Sequence, residues 1–343
     1  MSSPLTALGV GAPVLAAPMA GGAGTPALVA AAARADGLGF LAGGYRTAEA
    51  LAGQIAEVRA DGAVFGVNLF APHPVPVDPG AFRDYARALA PEALVYGIDL
   101  EAAGIVEDDD HWRDKVDLLL SDPVPVVSFT FGIPEAAVIA ALRAAGTLVV
   151  QTVTSPQEAR AAQDAGVDAL AVQASAAGGH SGTLSPHHPP GPVPLTDLLG
   201  AVRAAVPLPL IAAGGLATAE AVAEALRAGA AAVMVGTVLL RADEAGTSAP
   251  HRAALTDPER RETVVTRAFT GRPARGLRNG FTDRYSALAP SGYPALHHLT
   301  GPIRRAAAAA NDPDRLHLWA GTGYRHATAE PAARILRRLA SRL

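Results

Sequence analysis

The segment QASAAGGHSGT, residues 173–183, sets one imidazole, His180, among glycines and other small residues. Glycines at 179 and 182 let a ligand come close to the ring and spare it a packing role. A neutral imidazole accepts a proton, and an ordinary pKa of about 6.5 suits general-base work near neutrality. The competing reading is a loop histidine that only hydrogen-bonds backbone. Asn68, Gln173 and Gln151 stand at or near the ends of apolar runs, where a side-chain amide must find partners or leave polar atoms unpaired. Such amides either cap loop backbone or donate and accept along the edge of a heteroaromatic ligand.

Two glycine-containing turns add an anion site. Gly214-Gly215 precede a Thr-capped helix, and Gly236-Thr237 open a further helical stretch. Backbone amides at helix N-termini, with a threonine hydroxyl, make an anion cradle. The plainer reading of each pair alone is a tight strand-to-helix turn. APMAGGAGT, with Ala17, Pro18, Met19 and Ala20, offers a flat surface for an aromatic ring system. Cradle, amides and floor together point to FMN, whose isoalloxazine edge alternates N–H and C=O groups.

All of these residues lie at the ends of apolar runs, and the runs recur. They are PVLAAP (13–18), LGFLAG (38–43), AVFGVNL (63–69), PVVSFTF (125–131), TLVVQTV (147–153), DALAVQ (168–173), LPLIAAG (208–214) and AAVMVGT (231–237). Continuous rather than alternating apolar character suits strands buried on both faces. Between them, TPALVAAAARADG and SPQEARAAQDAG begin with a Thr or Ser cap and Pro, and close on Gly. Eight β-α units predict a (β/α)8 TIM barrel whose post-strand loops build the active site. A doubly wound sheet is the competing architecture, without an evident glycine-rich dinucleotide fingerprint to favour it.

Three regions exceed a minimal repeat. Residues 71–121 predict a helical insertion, and 181–207 carry the Pro-rich SPHHPPGPVP. The expected division is an FMN-binding barrel over 1–240 and a mostly helical segment over 241–343 covering the active-site side. That segment contains an Arg-rich loop with Arg267, Arg272, Arg275 and Arg278. These arginines could bind an anionic substrate, but bracing the loop is favoured, because guanidinium groups commonly tie loops to carbonyls.

Composition removes several functions. A net charge of −4 without a dense basic stripe argues against nucleic acid and anionic membrane as partners. With no cysteine there is no disulfide or thiolate nucleophile. The N-terminal stretch has no basic n-region, so it does not read as a signal peptide, and no apolar run of membrane-spanning length interrupts the chain. The expected compartment is the cytoplasm. The single lysine, Lys115, lies in the insertion, away from the rim where a Schiff-base aldolase needs one. His187-His188 and His297-His298 read as solvated pairs with no carboxylate to complete a site, so no metal is expected.

APMAGGAGTPALVAAAARADGLGFLAGGY, FGVNLF, QASAAGGHSGT, LPLIAAGGLATAEAVAEALRAGAAAVMVGT, TRAFTGRPARGLRN and WAGTG span almost the whole chain. Together they resemble the nitronate monooxygenase family, formerly called 2-nitropropane dioxygenases. Its members are FMN-dependent barrels that oxidise alkyl nitronates with O2. The resemblance implies FMN contacts at Asn68, Gln173, Gly178 with its neighbour Gly179, Gly215, and Met234, Val235, Gly236 and Thr237. It also implies that His180 is the catalytic base, although Ser181 stands where the family more often has arginine. The expected reaction converts a nitronate, or a neutral nitroalkane, and O2 to a carbonyl compound and nitrite. Flavin-type enoyl-acyl-carrier-protein reductases share the barrel, the FMN loops and a GGH histidine, and form the alternative. A non-flavin phosphate-binding isomerase or lyase is disfavoured by the few carboxylates and lysines on the rim.

Overall fold

Each of the eight apolar runs contains a strand, and each strand is followed by a segment able to pack back on it. The computed structural model describes residues 8–343. The first seven residues, part of the stretch read above as lacking a signal peptide, lie outside the described residues. In chain order the first elements are β1 (Val14–Ala16), α1 (Pro26–Ala33), β2 (Leu38–Ala42), α2 (Ala48–Ala60) and β3 (Phe65–Ala71). The insertion supplies α3 (Pro79–Leu94) and α4 (Trp112–Ser121). Then come β4 (Val126–Phe131), α5 (Ala136–Ala144), β5 (Leu148–Val153), α6 (Pro156–Ala165) and β6 (Ala169–Gln173). A two-residue strand, β7 (Gly179–His180), precedes α7 (Leu195–Ala205), β8 (Leu210–Ala213), α8 (Ala219–Arg227) and β9 (Ala232–Val235). The remainder holds α9 (Ala249–Ala254), β10 (Thr263–Thr266), β11 (Ala274–Leu277), α10 (Gly280–Tyr285), α11 (Ala295–Ala309) and α12 (Ala332–Leu339).

Strands β1 to β6, β8 and β9 close into a parallel barrel, with Val14 of β1 opposite Val233 of β9 at the seam. This is the (β/α)8 architecture expected from the runs. The helices start where the sequence puts caps: the side chains of Thr25, Thr47, Ser155 and Thr218 each accept a backbone N–H of the first turn. Leu15, Phe40, Val126, Val150 and Ile211 fill the barrel interior, while Val67, Phe129, Val149 and Leu170 face the helix layer.

The last hundred residues hold helices α9 to α12, as expected, and add two short strands that the expectation lacked. β10 and β11 form an antiparallel hairpin, and β11 pairs with β7, with Ala274 opposite His180. The β-branched run Thr263-Val264-Val265-Thr266 is the sequence reason. Packing also crosses the boundary drawn at residue 240. Helix α12 returns to the barrel, where Ile335 and Leu336 join the core between strands and helices. In the other direction, Phe82, Tyr85 and Leu89 of α3 share a separate core with Phe269, Phe281, Leu296 and Ile303. The insertion and residues 268–303 therefore form one layer, further tied by the Tyr85 hydroxyl, which donates to the Ala268 carbonyl at 2.6 Å.

Candidate active site

Side chains alternate along a strand, so the last inward position of each barrel strand meets its neighbours in a ring. Asn68 Nδ2 donates to Ser128 Oγ at 2.9 Å and to Thr130 Oγ1 at 3.1 Å. Thr130 and Thr152 hydroxyls lie 3.4 Å apart. Gln173 uses both ends of its amide on the loop that follows: Nε2 donates to the His180 carbonyl at 3.2 Å, and Oε1 accepts from Gly182 N at 2.7 Å. Its side chain thus pins the histidine loop, as the loop-capping reading of the amides requires. Gln151 is a correction. It is one residue out of phase, points away from the cavity, and donates to the carbonyls of Gly132 and Thr152 at 3.1 Å. Thr152 takes the inward place, because a shift of one residue reverses the face.

Above this ring lies a cavity of about 340 Å³. Its walls include Ala17 to Ala20, Asn68, Gln173, Gly178, Gly179, His180, Gly214, Gly215 and Met234 to Thr237, so Gln151 alone of the expected residues is absent. The glycine loops meet a segment from the far end of the chain. Gly321 N donates to Thr237 Oγ1 at 2.9 Å, and Thr322 N to the Ala176 carbonyl at 3.1 Å. A Cβ at Gly178 would sit 2.4 Å from Gly321 N, so only glycine permits that approach. Gly214 and Gly215 have φ of 101° and 78°, and line the cavity just ahead of α8. Thr237 receives its bond as an acceptor and keeps its own proton to give. This end could hold a phosphate.

His180 is not on a bare loop. Its ring contacts Phe131, Tyr293 and Trp319, with centroids 5.6, 5.8 and 5.6 Å away. Nε2 lies 2.9 Å from Thr270 Oγ1, and that hydroxyl is placed to give its single proton to the Arg272 carbonyl at 3.2 Å. Given to that carbonyl, the hydroxyl proton leaves Nε2 to carry the ring proton and Nδ1 the lone pair; given to Nε2, it fits the opposite tautomer. Burial, reinforced by the charges of Arg272 and Arg304, pushes the imidazole down to about 3, so the ring is neutral at pH 7.

The arginines of the Arg-rich segment brace it. Arg272 is fully buried; it donates to the carbonyls of Ser181 and Thr183 and lies 4.0 Å over the Phe131 ring. Arg275 reaches the Ser175 carbonyl at 2.7 Å and Arg267 the Pro186 carbonyl at 2.9 Å. Arg278 pairs with Glu262 and Asp283.

The remaining wall was not visible in the sequence. Tyr45 stacks on His297 at 4.1 Å, their planes 4° apart, and Phe70, Arg304 and Trp319 complete this side. His297, expected to be solvated, lines the cavity, and burial holds its pKa far below the ordinary value. His298 bonds Asp108 of the insertion at 2.8 Å, while His187 and His188 are exposed as expected. Tyr45 and Phe131 both hold left-handed backbone, φ 64° and 81°, at the ends of their strand segments beside the cavity. For bulky residues this conformation costs about 1–3 kcal/mol and persists where the surroundings enforce it. Asp110 of the insertion does so for Tyr45, accepting its backbone N–H at 2.8 Å.

No helix among the described residues is long and apolar enough to cross a membrane. The family model for nitronate monooxygenase matches residues 2–341. A probable nitronate monooxygenase of Staphylococcus aureus strain Newman is 34% identical over 94% of this chain and 92% of its own length. Among solved structures, nitroalkane oxidase from Streptomyces ansochromogenes is 46% identical, with a TM-score of 0.92 over 99% of this chain and 97% of that one. FabK from Thermotoga maritima is 27% identical, with a TM-score of 0.76 over 99% and 96%. A family match over nearly the full length, on a closed barrel whose cavity gathers the expected glycine loops around His180, leaves one assignment: the chain belongs to the nitronate monooxygenase family of oxidoreductases.

Proposed function

We propose that the protein binds FMN and oxidises alkyl nitronates with O2 to a carbonyl compound and nitrite, accepting neutral nitroalkanes through their nitronates. The observation that carries this reading is the continuity of one cavity from the glycine loops to His180. Its residues suit FMN: bare backbone at Gly178, Gly214, Gly215 and Gly236, a free Thr237 hydroxyl proton, and no carboxylate among the lining residues to repel a phosphate. Asn68 and the flat Ala17–Ala20 segment would face the ring system. When bound, FMN supplies electron acceptance and the reaction with oxygen.

The chain's own residues bind substrate and manage its proton. His180 is held neutral, with Nε2 committed to Thr270; in the tautomer with the ring proton on Nε2, Nδ1 is the atom that takes the α-proton of a nitroalkane. Burial and the nearby arginines disfavour imidazolium. The nitronate left beside the ring supplies the missing negative charge, so protonation and substrate ionisation support each other. Phe131, Tyr293 and Trp319 exclude water around that pair.

The test is direct. Purified protein should be yellow and release FMN on denaturation. With a nitronate it should consume O2 and form nitrite without added nicotinamide. A colourless protein that cannot be reconstituted with FMN sinks the proposal. Rapid NADH oxidation with an enoyl thioester, and no nitrite from nitronates, would instead favour a reductase like FabK.

A further inference from the structure

We infer that Arg304 is the anion-recognition residue of the substrate chamber, presenting its guanidinium to the nitronate oxygens opposite His180; the inference rests on the reaction proposed above. Arg304 is 91% buried, with 9% of its surface exposed, and it lines the cavity. Helix α11 holds it through neighbours one and two turns back: Nε donates to Thr300 Oγ1 at 3.1 Å, and Nη2 to the His297 carbonyl at 2.7 Å and toward His297 Nδ1 at 3.3 Å. None of these bonds uses Nη1.

A buried cation without a counter-charge is costly, so proteins seldom keep one without a partner. The partners of the Arg304 side chain are Thr300 and His297, and among the described residues no carboxylate forms an ion pair with it. None of the residues lining the cavity is acidic. The missing negative charge must then come from whatever enters. Arg272 cannot serve the same purpose: two of its guanidinium nitrogens bond loop carbonyls, its plane covers Phe131, and it is fully buried. Of the two buried arginines, one braces and the other faces the cavity.

A planar guanidinium matches a planar oxyanion of the nitronate type better than an ammonium does. Arg304 belongs to the aromatic wall with Tyr45 and His297 rather than to the glycine loops, which separates it from the proposed phosphate site.

Nitrate, a planar monovalent oxyanion, is the probe. In the flavin-loaded enzyme it should inhibit nitronate turnover competitively and bind saturably, followed by Trp319 fluorescence. Arg304→Gln should weaken nitrate binding and raise KM for the nitronate roughly 10–100-fold, as for loss of a charge-assisted hydrogen bond, with kcat less affected and flavin content unchanged. Arg304→Lys should fall between the two. Failure of nitrate to compete in the wild type, equal nitrate affinity in Arg304→Gln, or loss of flavin in that variant overturns the inference. Should Arg304→Gln not fold, unchanged nitrate affinity in Arg304→Lys overturns it equally. If nitronates are not turned over at all, the proposed reaction falls, while Arg304-dependent nitrate binding still decides the anion site.

Discussion

His180 Nε2 lies 2.9 Å from the hydroxyl of Thr270, a residue ninety positions further along the chain. The bond comes from a segment that pairs with the histidine loop, Ala274 facing His180 across β11 and β7. The barrel supplies the imidazole and the hairpin region supplies what orients it.

Thr270→Val keeps the shape of a buried residue and removes that orienting hydroxyl. Nitroalkane turnover should fall about 10–100-fold, as when a supporting hydrogen bond to a working histidine is lost, with flavin content retained. Thr270→Ser should recover most of the rate. Equal rates in wild type and Thr270→Val would remove the hydroxyl from the mechanism.

His180→Asn should separate the two substrate classes. A neutral nitroalkane needs its α-proton removed, so its turnover should drop by roughly 10²–10⁴-fold. A pre-formed nitronate has already lost that proton and should be largely spared. Steady-state rates with both forms of one compound are the measurement. Equal loss would leave His180 an orienting role only.

Stability should decline as the solution is acidified below pH 6.5. Burial lowers His180 to about 3 and His251 to about 4, and holds His297 and His317 well below their ordinary value. Below 6.5 the unfolded chain takes up protons that the native chain refuses, so this contribution is complete above 6.5 and is lost progressively toward pH 3–4. Melting temperatures at pH 7, 6 and 5 should fall in that order, and His251→Gln should flatten the trend. A constant melting temperature over this range contradicts the assignment.

The single lysine is structural. Lys115 is 1% exposed and pairs with Asp110 at 2.7 Å, while Asp110 also holds the backbone of Tyr45. Burial pushes the ammonium down and the carboxyl up, so desolvation outweighs their attraction. Asp110→Ala strands a buried cation and should cost on the order of 3 kcal/mol, whereas Lys115→Met should cost much less. Asp110→Ala should also raise KM, because Tyr45 loses its anchor beside His297. Urea denaturation and steady-state kinetics test the two effects together.

The barrel was legible in the sequence because its signals are local. Unbroken apolar runs, Thr and Ser caps and glycine stops each act within a few residues, and together they mark every barrel strand. The glycine loops were legible for the same reason, since they follow those strands directly. Gln151 shows the limit of reading run ends without phase: Val150 fills the barrel interior, so alternation puts Thr152, not Gln151, toward the cavity. Thr263–Thr266 likewise carried a strand signal inside a segment read as helical or loop.

Only the tertiary structure decided the character of the site. His180 sits among small residues in the sequence but among Phe131, Tyr293 and Trp319 in space, which turns an ordinary imidazole into one held neutral far below its usual pKa. Tyr45, His297 and Arg304 form one wall, though the first lies more than 250 residues from the others. Their meeting depends on the core that α3 shares with α11. Local sequence fixes which way a chain turns, whereas the dielectric and charge around a side chain depend on whatever distant segments pack against it.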